Sequence, residues 1–296
     1  MELFHRMMAT GHAADVVAGM LKRGERESWL PQHVPASDFE ALPTAPGVYR
    51  FLNQKGTPIY IGMSHNVRHR VRSHFNGSMK SARRQAFLRD IYRIEAENTG
   101  SVLMARLIED ELIRTHWPIH NRAQKSIPVR TAIVSYTDQR GFMRLHLQRQ
   151  RQVKHAIRWF HREDYARAWL HAQAVLHGLQ PELLGLGSDG RGQSIQDDQR
   201  DAHNEAMNAL IDAAQTLETW AIVDRGRSDE ERAIVLMENE HVKGWCFTVE
   251  TVSRLDEIPK LVELKNGSAT ADVIVQHALH EREMDKIRFE IIEPAS

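Results

Sequence analysis

Two tyrosines and a group of arginines in the first third of the chain have the types and spacing for chemistry on a phosphate. The patterns over residues 48–52 and 59–61 predict the two strands of a hairpin, and each strand carries one tyrosine, Tyr49 or Tyr60. A helix rich in arginine follows the hairpin. A phenol can exchange a proton, and a guanidinium can hold two phosphate oxygens at once. The sequence therefore predicts a phosphate site between the hairpin and the helix.

The helix after the hairpin places its arginines on different faces. We expect it to begin at Ser64, a residue type that accepts hydrogen bonds from the first backbone amides of a helix. Apolar residues at four-residue spacing define its buried stripe: Val67, Val71 and Phe75. Arg68 and Arg72 fall away from this stripe, on an exposed face that could meet DNA, whereas Arg70 flanks the stripe and is expected to be partly sheltered. The alternative is that all three arginines are solvated.

A second helix carries an acidic side chain among apolar neighbours. Residues 99–101 cap a long helix that runs to about residue 116 and stops before Pro118. Its predicted solvated face holds charges of both signs: Arg106, Asp110 and Arg114. Glu109 falls on the apolar side, where a carboxylate is costly unless it is paired. Two kinds of partner stay open: an arginine such as Arg70, or a hard divalent cation, which one carboxylate can hold together with phosphate oxygens and water.

The remaining patterns describe a mixed α and β chain. An amphipathic helix over residues 1–25 and a proline-rich extended connector over 29–46 precede the hairpin. A basic helix at 80–89 and a third strand at 91–97 follow it. The first 126 residues thus supply a three-stranded unit with helices on its flanks.

The C-terminal part is predicted to be a small α+β region. Its predicted elements are a hairpin over 131–136 and 142–147, a helix at 165–178, a helix at 203–217, strands at 220–224, 233–238 and 244–249, and a helix at 270–283. The first of these helices is expected to bury Trp169, Ala172 and Leu176. A G-x-G-x-x-G spacing at 185–190 lacks the strand-to-helix context of a dinucleotide site and is interpreted as a loop.

Charge is distributed unevenly along the chain, although 39 basic and 39 acidic residues balance overall. Residues 47–92 contain nine Lys or Arg and one acid, whereas residues 189–240 contain thirteen acids and five basic residues. Clustered basic side chains are the electrostatic footprint of a nucleic-acid-binding surface. The candidate DNA contacts are Arg68, Arg72, Lys80, Arg83 and Arg84.

Cysteine and histidine usage narrows the class of site. The single cysteine, Cys246, excludes a disulfide framework and Cys-ligated metal clusters within the chain, and its apolar neighbours predict a small buried core residue. The seventeen histidines include no His-Glu-x-x-His pattern, which argues against zinc. Charged residues near the N-terminus fit neither a secretory signal nor a membrane span. A reducing, cytoplasmic setting with no membrane partner is expected.

Five elements together resemble a GIY-YIG nuclease domain: Gly47-Val48-Tyr49, Tyr60-Ile61-Gly62, Arg70, Glu109 and Asn121. Residues 42–49 and 118–122 are similar to the nuclease domain of the repair protein UvrC and its shorter homologue Cho. From residue 22 onward, including 220–227, the chain also resembles the C-terminal half of proteins that fuse an epsilon-type DNA polymerase III exonuclease to a GIY-YIG domain. The expected organisation is a helix and connector over 1–40, the GIY-YIG domain over 41–126, and an α+β region over 127–296.

The resemblance implies a metal-dependent DNA endonuclease that acts in repair, with DNA and excision-repair proteins as partners. Glu109 would hold one divalent metal, Mg²⁺ or Mn²⁺, and Arg70 would stabilise charge on the phosphate. Tyr49 and Tyr60 would act at the nucleophile and the scissile phosphate, and Asn121 would order the site. Which tyrosine would take the proton from the attacking water stays open.

Two departures from the family pattern bear on this expectation: one weakens the phosphate site, and the other excludes a metal cluster in the middle region. Met63 stands where UvrC-like members usually carry lysine, which favours a DNA-binding accessory protein with a weakened or inactive nuclease site. The region around residues 193–204 lacks the cysteine cluster that relatives of this length often carry there. A third hypothesis is a structural partner in a repair complex that uses the acidic part of the chain against another protein.

Overall fold

The structure is a computed structural model of the chain. It describes residues 29–76, 82–121, 129–150, 153, 155–186, 196–215, 219–238, 241–252, 254–265, 267–283 and 289–293. The predicted helix over 1–25 lies outside the described residues, as do Lys80 and part of the glycine-containing loop at 185–190. The chain divides into two compact units, one made of Met1–Ala105 with Glu111–Arg122, the other of Arg106–Asp110 with Ala123–Ser296. No helix among the described residues combines the length and apolar character that a membrane crossing requires.

The first unit is built on a three-stranded antiparallel sheet, as predicted. Its strands are β1 (Gly47–Leu52), β2 (Pro58–Ser64) and β3 (Arg93–Asn98), in the spatial order β2-β1-β3. Its helices are α1 (Ala36–Glu40), α2 (Val67–Phe75) and α3 (Ala82–Arg89), and α4 (Val102–His116) follows β3. One face of the sheet packs into a core with residues of α2 and α3, among them Val71, Phe75 and Leu88.

The start of α2 differs from the prediction. Ser64 is the last residue of β2, and Asn66 caps the helix by accepting a hydrogen bond from the His69 amide at 3.0 Å. The Ser64 hydroxyl instead bonds the Asn66 amide and carbonyl at 3.1 and 3.0 Å, so it supports the turn into the helix. The predicted buried stripe of Val67, Val71 and Phe75 is confirmed.

The proline-rich connector is not extended throughout, because α1 interrupts it. Asp38 of this helix is buried and accepts hydrogen bonds from the Arg93 side chain at 2.8 Å and the Ile94 amide at 2.9 Å. A carboxylate next to the core is tolerable when charged and backbone donors satisfy it in this way. The connector is thereby fixed to the edge strand β3.

Helix α4 begins and ends where the sequence predicted. The Ser101 hydroxyl caps it by accepting from the Met104 amide at 3.2 Å. The prediction of a solvated face is wrong, however, because Asp110 is buried and accepts a 2.8 Å hydrogen bond from the Ser268 hydroxyl. Arg106 forms a 2.9 Å ion pair with Glu281. The middle of the helix, Arg106–Asp110, is grouped with the second unit, and that unit supplies these partners.

The second unit contains two antiparallel sheets and is α+β, as predicted. The first sheet has the order β5-β4-β6, with β4 (Arg130–Thr137), β5 (Met143–Gln150) and β6 (Arg158–Phe160). The second has the order β10-β9-β8-β7-β11, with β7 (Thr219–Arg225), β8 (Arg232–Glu238), β9 (His241–Thr248), β10 (Glu263–Leu264) and β11 (Glu290–Ile292). Its helices are α5 (Glu163–His177), α6 (Arg200–Gln215), α7 (Ile258–Leu261) and α8 (Ala269–Glu283).

The apolar face predicted for α5 is wrong at two of its three residues, since Trp169 does pack against the core of the second unit. Ala166, Leu170 and Ala174 are buried in the core with residues of α6 and the first sheet, whereas Ala172 is exposed and Leu176 is 73% exposed. Both sets have the three- or four-residue spacing of a single helix face, so the spacing alone does not identify the buried one. Cys246 is also less buried than predicted, since it packs at the margin of its core cluster.

Candidate active site

The sheet register brings the two tyrosines together. Tyr49 is paired with Gly62, and Phe51 with Tyr60, so the tyrosines are diagonal neighbours on one face of the hairpin. Their ring centroids lie 6.1 Å apart. Tyr49 is fully buried and Tyr60 is partly exposed, so only the second ring is open to a ligand from solvent.

Gly62 makes room for this pair. A Cβ at this position would lie 2.5 Å from the Tyr49 hydroxyl oxygen and 2.9 Å from a ring carbon of Tyr60. Gly47, the first residue of the hairpin, is constrained in a similar way, because a Cβ there would overlap the Glu97 carbonyl of β3. Each glycine therefore allows a close approach: Gly62 that of the tyrosine rings, Gly47 that of the neighbouring strand.

His74 belongs to the site and was missed in the sequence analysis. Its Nε2 atom lies 2.7 Å from the Tyr49 hydroxyl oxygen, within hydrogen-bonding distance. The available signal was its position four residues after Arg70, which places both side chains on the same face of α2. Helix spacing from the predicted phosphate-binding arginine would have found it.

Burial and neighbouring charges keep this pair neutral. Burial, followed by proximity to Tyr60, raises the pKa of Tyr49 above its ordinary value, although the Arg70 guanidinium opposes the shift. Burial, followed by the positive charges of Arg70 and Arg84, lowers the pKa of His74 to about 4. At neutral pH the site therefore contains a phenol and a neutral imidazole.

The arginines of α2 are not equivalent, and two of them differ from the prediction. Arg70 is exposed, not sheltered, yet its guanidinium reaches the Tyr49 hydroxyl. Arg68 is not on an open face, because its side chain donates to the carbonyls of Leu42 at 2.9 Å and Glu40 at 2.6 Å. Arg72 is exposed, as predicted, with its guanidinium 5.6 Å from the Trp29 ring centroid.

Two arginines of α3, Arg83 and Arg84, also differ from each other. Arg83 is exposed, so its side chain is available to a ligand. Arg84 is partly buried and donates to the His74 carbonyl, which links α3 to the end of α2. Arg84 thus adds positive potential beside His74.

Asn121 fixes a loop against the tyrosine hairpin. Its Oδ1 accepts from the Ile61 amide at 2.9 Å and its Nδ2 donates to the Ile61 carbonyl at 2.7 Å. The His120 amide donates to the Ile59 carbonyl at 3.1 Å. These bonds attach the loop to β2 on both sides of Tyr60. The side-chain amide of Asn121 therefore orders the strand that carries Tyr60.

Glu109 lies in the middle of α4 and is partly buried. Its carboxylate is an oxygen donor of the kind that Mg²⁺ or Mn²⁺ takes. Within the described ranges, no three His, Cys, Asp or Glu side chains are grouped to hold a metal ion. A cation bound here would therefore complete its coordination with substrate oxygens and water, and the place of Glu109 in the site stays a prediction.

Known proteins match the part of the chain that contains the tyrosine hairpin and α4. A family model for the UvrC-like GIY-YIG domain matches residues 45–122. The UvrABC system protein C of Stenotrophomonas maltophilia is 38% identical over 104 residues, which is 32% of this chain and 17% of that protein. That of Methanosarcina barkeri is 32% identical over 114 residues, covering 38% of this chain and 22% of that protein.

A solved structure is also similar. The N-terminal GIY-YIG endonuclease domain of UvrC from Thermotoga maritima, bound to magnesium as its catalytic divalent cation, is 28% identical, with a TM-score of 0.26. The similarity covers 29% of this chain and 93% of that domain. The chain covers 17%, or about a sixth, of the length of the Stenotrophomonas maltophilia protein. Residues 45–122 of this chain form a UvrC-like GIY-YIG domain.

Proposed function

We propose that the protein is a metal-dependent DNA endonuclease that hydrolyses phosphodiester bonds in DNA repair. The observation that carries the proposal is the cluster of Tyr49, Tyr60, Arg70 and His74 within the UvrC-like domain, joined by the 2.7 Å contact between Tyr49 and His74. The activity is inferred from that domain, because the relatives extend far beyond the part that this chain matches.

The site residues have separable roles in this proposal. Arg70 binds the non-bridging oxygens of the scissile phosphate, since its guanidinium is exposed and has only donors. Tyr49 accepts a hydrogen bond from Arg70 and donates one to His74 Nε2. It therefore stays a neutral phenol that positions the side chains of Arg70 and His74. Tyr60 is the partly exposed phenol and contacts the attacking water or the phosphate.

Glu109 is the proposed metal ligand. A bound Mg²⁺ or Mn²⁺ would activate water and stabilise charge on the phosphate and leaving oxygen. A hard cation suits this chain because one carboxylate, with substrate oxygens and water, completes its coordination. Asn121 keeps Tyr60 in place through both polar groups of Ile61.

A direct experiment uses nicked, branched and lesion-bearing duplexes with Mg²⁺ or Mn²⁺. We expect the wild type to cut at least one of them and Glu109→Gln to lose cleavage by about 100-fold or more, since a Lewis acid contributes several kcal/mol to the transition state. Glu111→Gln is the matched control, because it makes the same chemical change two residues along the same helix. Equal loss in both variants would reject Glu109 as the ligand.

A second candidate function is favoured by Met63. A DNA-binding accessory protein with a decayed site would bind the panel equally well as wild type and as Glu109→Gln, and cut none of it. Under the endonuclease proposal, Met63→Lys adds a positive charge to β2 that strengthens attraction of the phosphate backbone, and it increases cleavage. If Met63→Lys increases binding but wild type and variant are both inert, the accessory function replaces the enzyme.

The partners and setting belong to the same proposal. Excision-repair proteins are the proposed assembly partners, and the cytoplasm the proposed compartment, because the matched relatives are UvrABC system proteins. The proposed domain limits are 41–126 for the nuclease domain and 127–296 for the α+β region. Co-purification of the full chain with excision-repair proteins on damaged DNA is the corresponding test.

A further inference from the structure

The loop between α4 and Asn121 is fixed next to Tyr60. His120 bonds the Ile59 carbonyl, and its ring packs edge-on against Phe87 with the centroids 4.7 Å apart. Phe87 in turn lies 5.9 Å from the Tyr60 ring. The loop is therefore held from two sides, and its other residues have a defined place beside the candidate site.

Trp117 in this loop has a costly backbone conformation. It ends α4 in the left-handed region, with φ 48° and ψ 52°. Among the described residues, only Trp117 and His155 are non-glycine residues with positive φ. A helix usually ends this way at glycine, because a side chain in that conformation clashes with its own backbone. A bulky aromatic residue at such a position suggests a function for the side chain.

The conformation presents an apolar surface to solvent. Trp117 is 58% exposed and Ile119 is 64% exposed, whereas Pro118 between them is buried. At most about 11 Å of extended chain separates Trp117 from His120, which itself bonds β2 beside Tyr60. Arg70 and Arg83 are exposed on α2 and α3 of the same unit, where they can meet the phosphates of a bound strand.

We infer that Trp117, supported by Ile119, is a stacking surface for an unpaired DNA base close to the cut. The inference rests on the proposed function and specifies its substrate. Exposed aromatic rings next to basic side chains bind nucleic acid by stacking on base faces while the phosphates meet the charges. Because the loop that carries Trp117 is bonded to β2 next to Tyr60, the stacked base lies near the candidate site.

Stacking at this surface selects substrates by structure rather than by sequence. In an intact duplex both faces of every internal base are covered by its neighbours, so Trp117 has nothing to stack on. A bubble, gap or distorted site provides an uncovered base at lower cost. Every base has a π-face, so no sequence preference follows.

The test compares binding of two duplexes of equal length and charge, one fully paired and one with a three-nucleotide bubble that contains 2-aminopurine. Binding is measured by fluorescence anisotropy without divalent metal, so that no strand is cut. We expect Trp117→Ala to lose about 5- to 150-fold in affinity for the bubble and little for the paired duplex. Trp117→Phe should retain most of the preference. Tyr136→Ala, which removes an aromatic residue that is 47% exposed on β4, is the control and should bind like wild type.

Folding is separated from binding by Trp117→Gly. Glycine adopts the left-handed conformation without strain, so this variant should unfold at the same temperature as wild type or higher, yet lose the bubble preference. Wild-type protein should quench the 2-aminopurine fluorescence, and both Trp117→Ala and Trp117→Gly should not. Equal binding of both duplexes by wild type, or full bubble affinity in Trp117→Ala, overturns the inference.

The outcomes distinguish this inference from the nuclease itself. Bubble preference that depends on Trp117, in a protein that cuts nothing, refutes the endonuclease and leaves the stacking surface standing. Glu109-dependent cleavage, together with a bubble affinity that Trp117→Ala does not change, supports the endonuclease and refutes the stacking surface. A change in self-association of Trp117→Ala, measured by light scattering, with unchanged DNA binding would assign the surface to a protein contact instead.

Discussion

Gly62→Ala tests whether the close approach of the tyrosine rings is what the site needs. The added methyl would lie 2.5 Å from the Tyr49 hydroxyl oxygen, whereas ordinary contact begins at 3.4 Å. The hydroxyl must therefore move by about 0.9 Å. Its hydrogen bond to His74 is 2.7 Å long, and a bond lengthened by that amount is no longer a hydrogen bond.

The energetic consequences follow from these distances. Overpacking a core by one methyl costs about 1–3 kcal/mol, and leaving a buried hydroxyl without its partner costs a further amount of about 1–3 kcal/mol. Because both costs arise from one displacement, we expect about 2–5 kcal/mol less free energy of unfolding. The cleavage rate should fall by more than the loss of folded protein alone would cause, since Arg70 and Tyr60 contact the same hydroxyl.

Three measurements check the prediction: urea unfolding, cleavage rate, and the pKa of His74 from its imidazole resonances. That pKa should rise from about 4 towards its ordinary value as the site opens. Gly56→Ala in the same hairpin is the control, because its Cβ would meet nothing within 4 Å and only its φ of +77° causes strain. We expect this variant to lose about 1–2 kcal/mol of stability but no cleavage. If Gly62→Ala retains wild-type cleavage and a His74 pKa near 4, the steric account of this glycine is refuted.

Three further predictions concern pH, charge and a buried ion pair. Below pH 6.5 the unfolded chain protonates His74 while the folded protein does so only near pH 4, so stability falls as the pH decreases over that interval, by up to about 3 kcal/mol relative to His74→Gln in urea titrations. Arg68→Ala should cost about 1.5–3 kcal/mol of stability because it removes two bonds to carbonyls, whereas Arg72→Ala should cost less than about 1 and instead reduce the salt slope of DNA binding by about one. Asp272→Asn leaves its buried arginine partner unpaired and should cost about 3–5 kcal/mol in thermal and urea unfolding; Asp256→Asn, in an exposed pair, should change little.

The hairpin, the sheet and the order of elements could be predicted because local sequence determines them. The alternating pattern of the third strand, the cap at Ser101 and the stop before Pro118 are short-range signals, and the structure confirms them. The spacing between glycine and tyrosine in each strand also agrees with the sheet register, which pairs Tyr49 with Gly62. Periodicity predicts the buried face of a helix or strand reliably where that element packs against a single neighbouring layer.

Long-range partners caused most of the errors. Helix periodicity predicts a solvated face for Asp110, because no residue near it in the sequence indicates its partner Ser268, which lies 158 positions later. Helix geometry likewise predicts an exposed face for Arg68, because it does not reveal that the carbonyls of Glu40 and Leu42 accept hydrogen bonds from this side chain. In each case a side chain that is polar by type is satisfied by a distant segment.

The position of Met63 bears on how much of the site its substitution could affect. In β2 the side chains alternate, so Tyr60 and Gly62 lie on the face that meets Tyr49, while Ile61 and Met63 lie on the opposite face. The register is regular over this part of the strand, with Met63 paired to Val48. Having methionine instead of lysine at position 63 therefore removes a positive charge from the face of β2 that lies opposite the tyrosines. It leaves the hydrogen-bonded cluster around Tyr49 intact, and so the loss weakens phosphate attraction without dismantling the groups proposed to act on the phosphate.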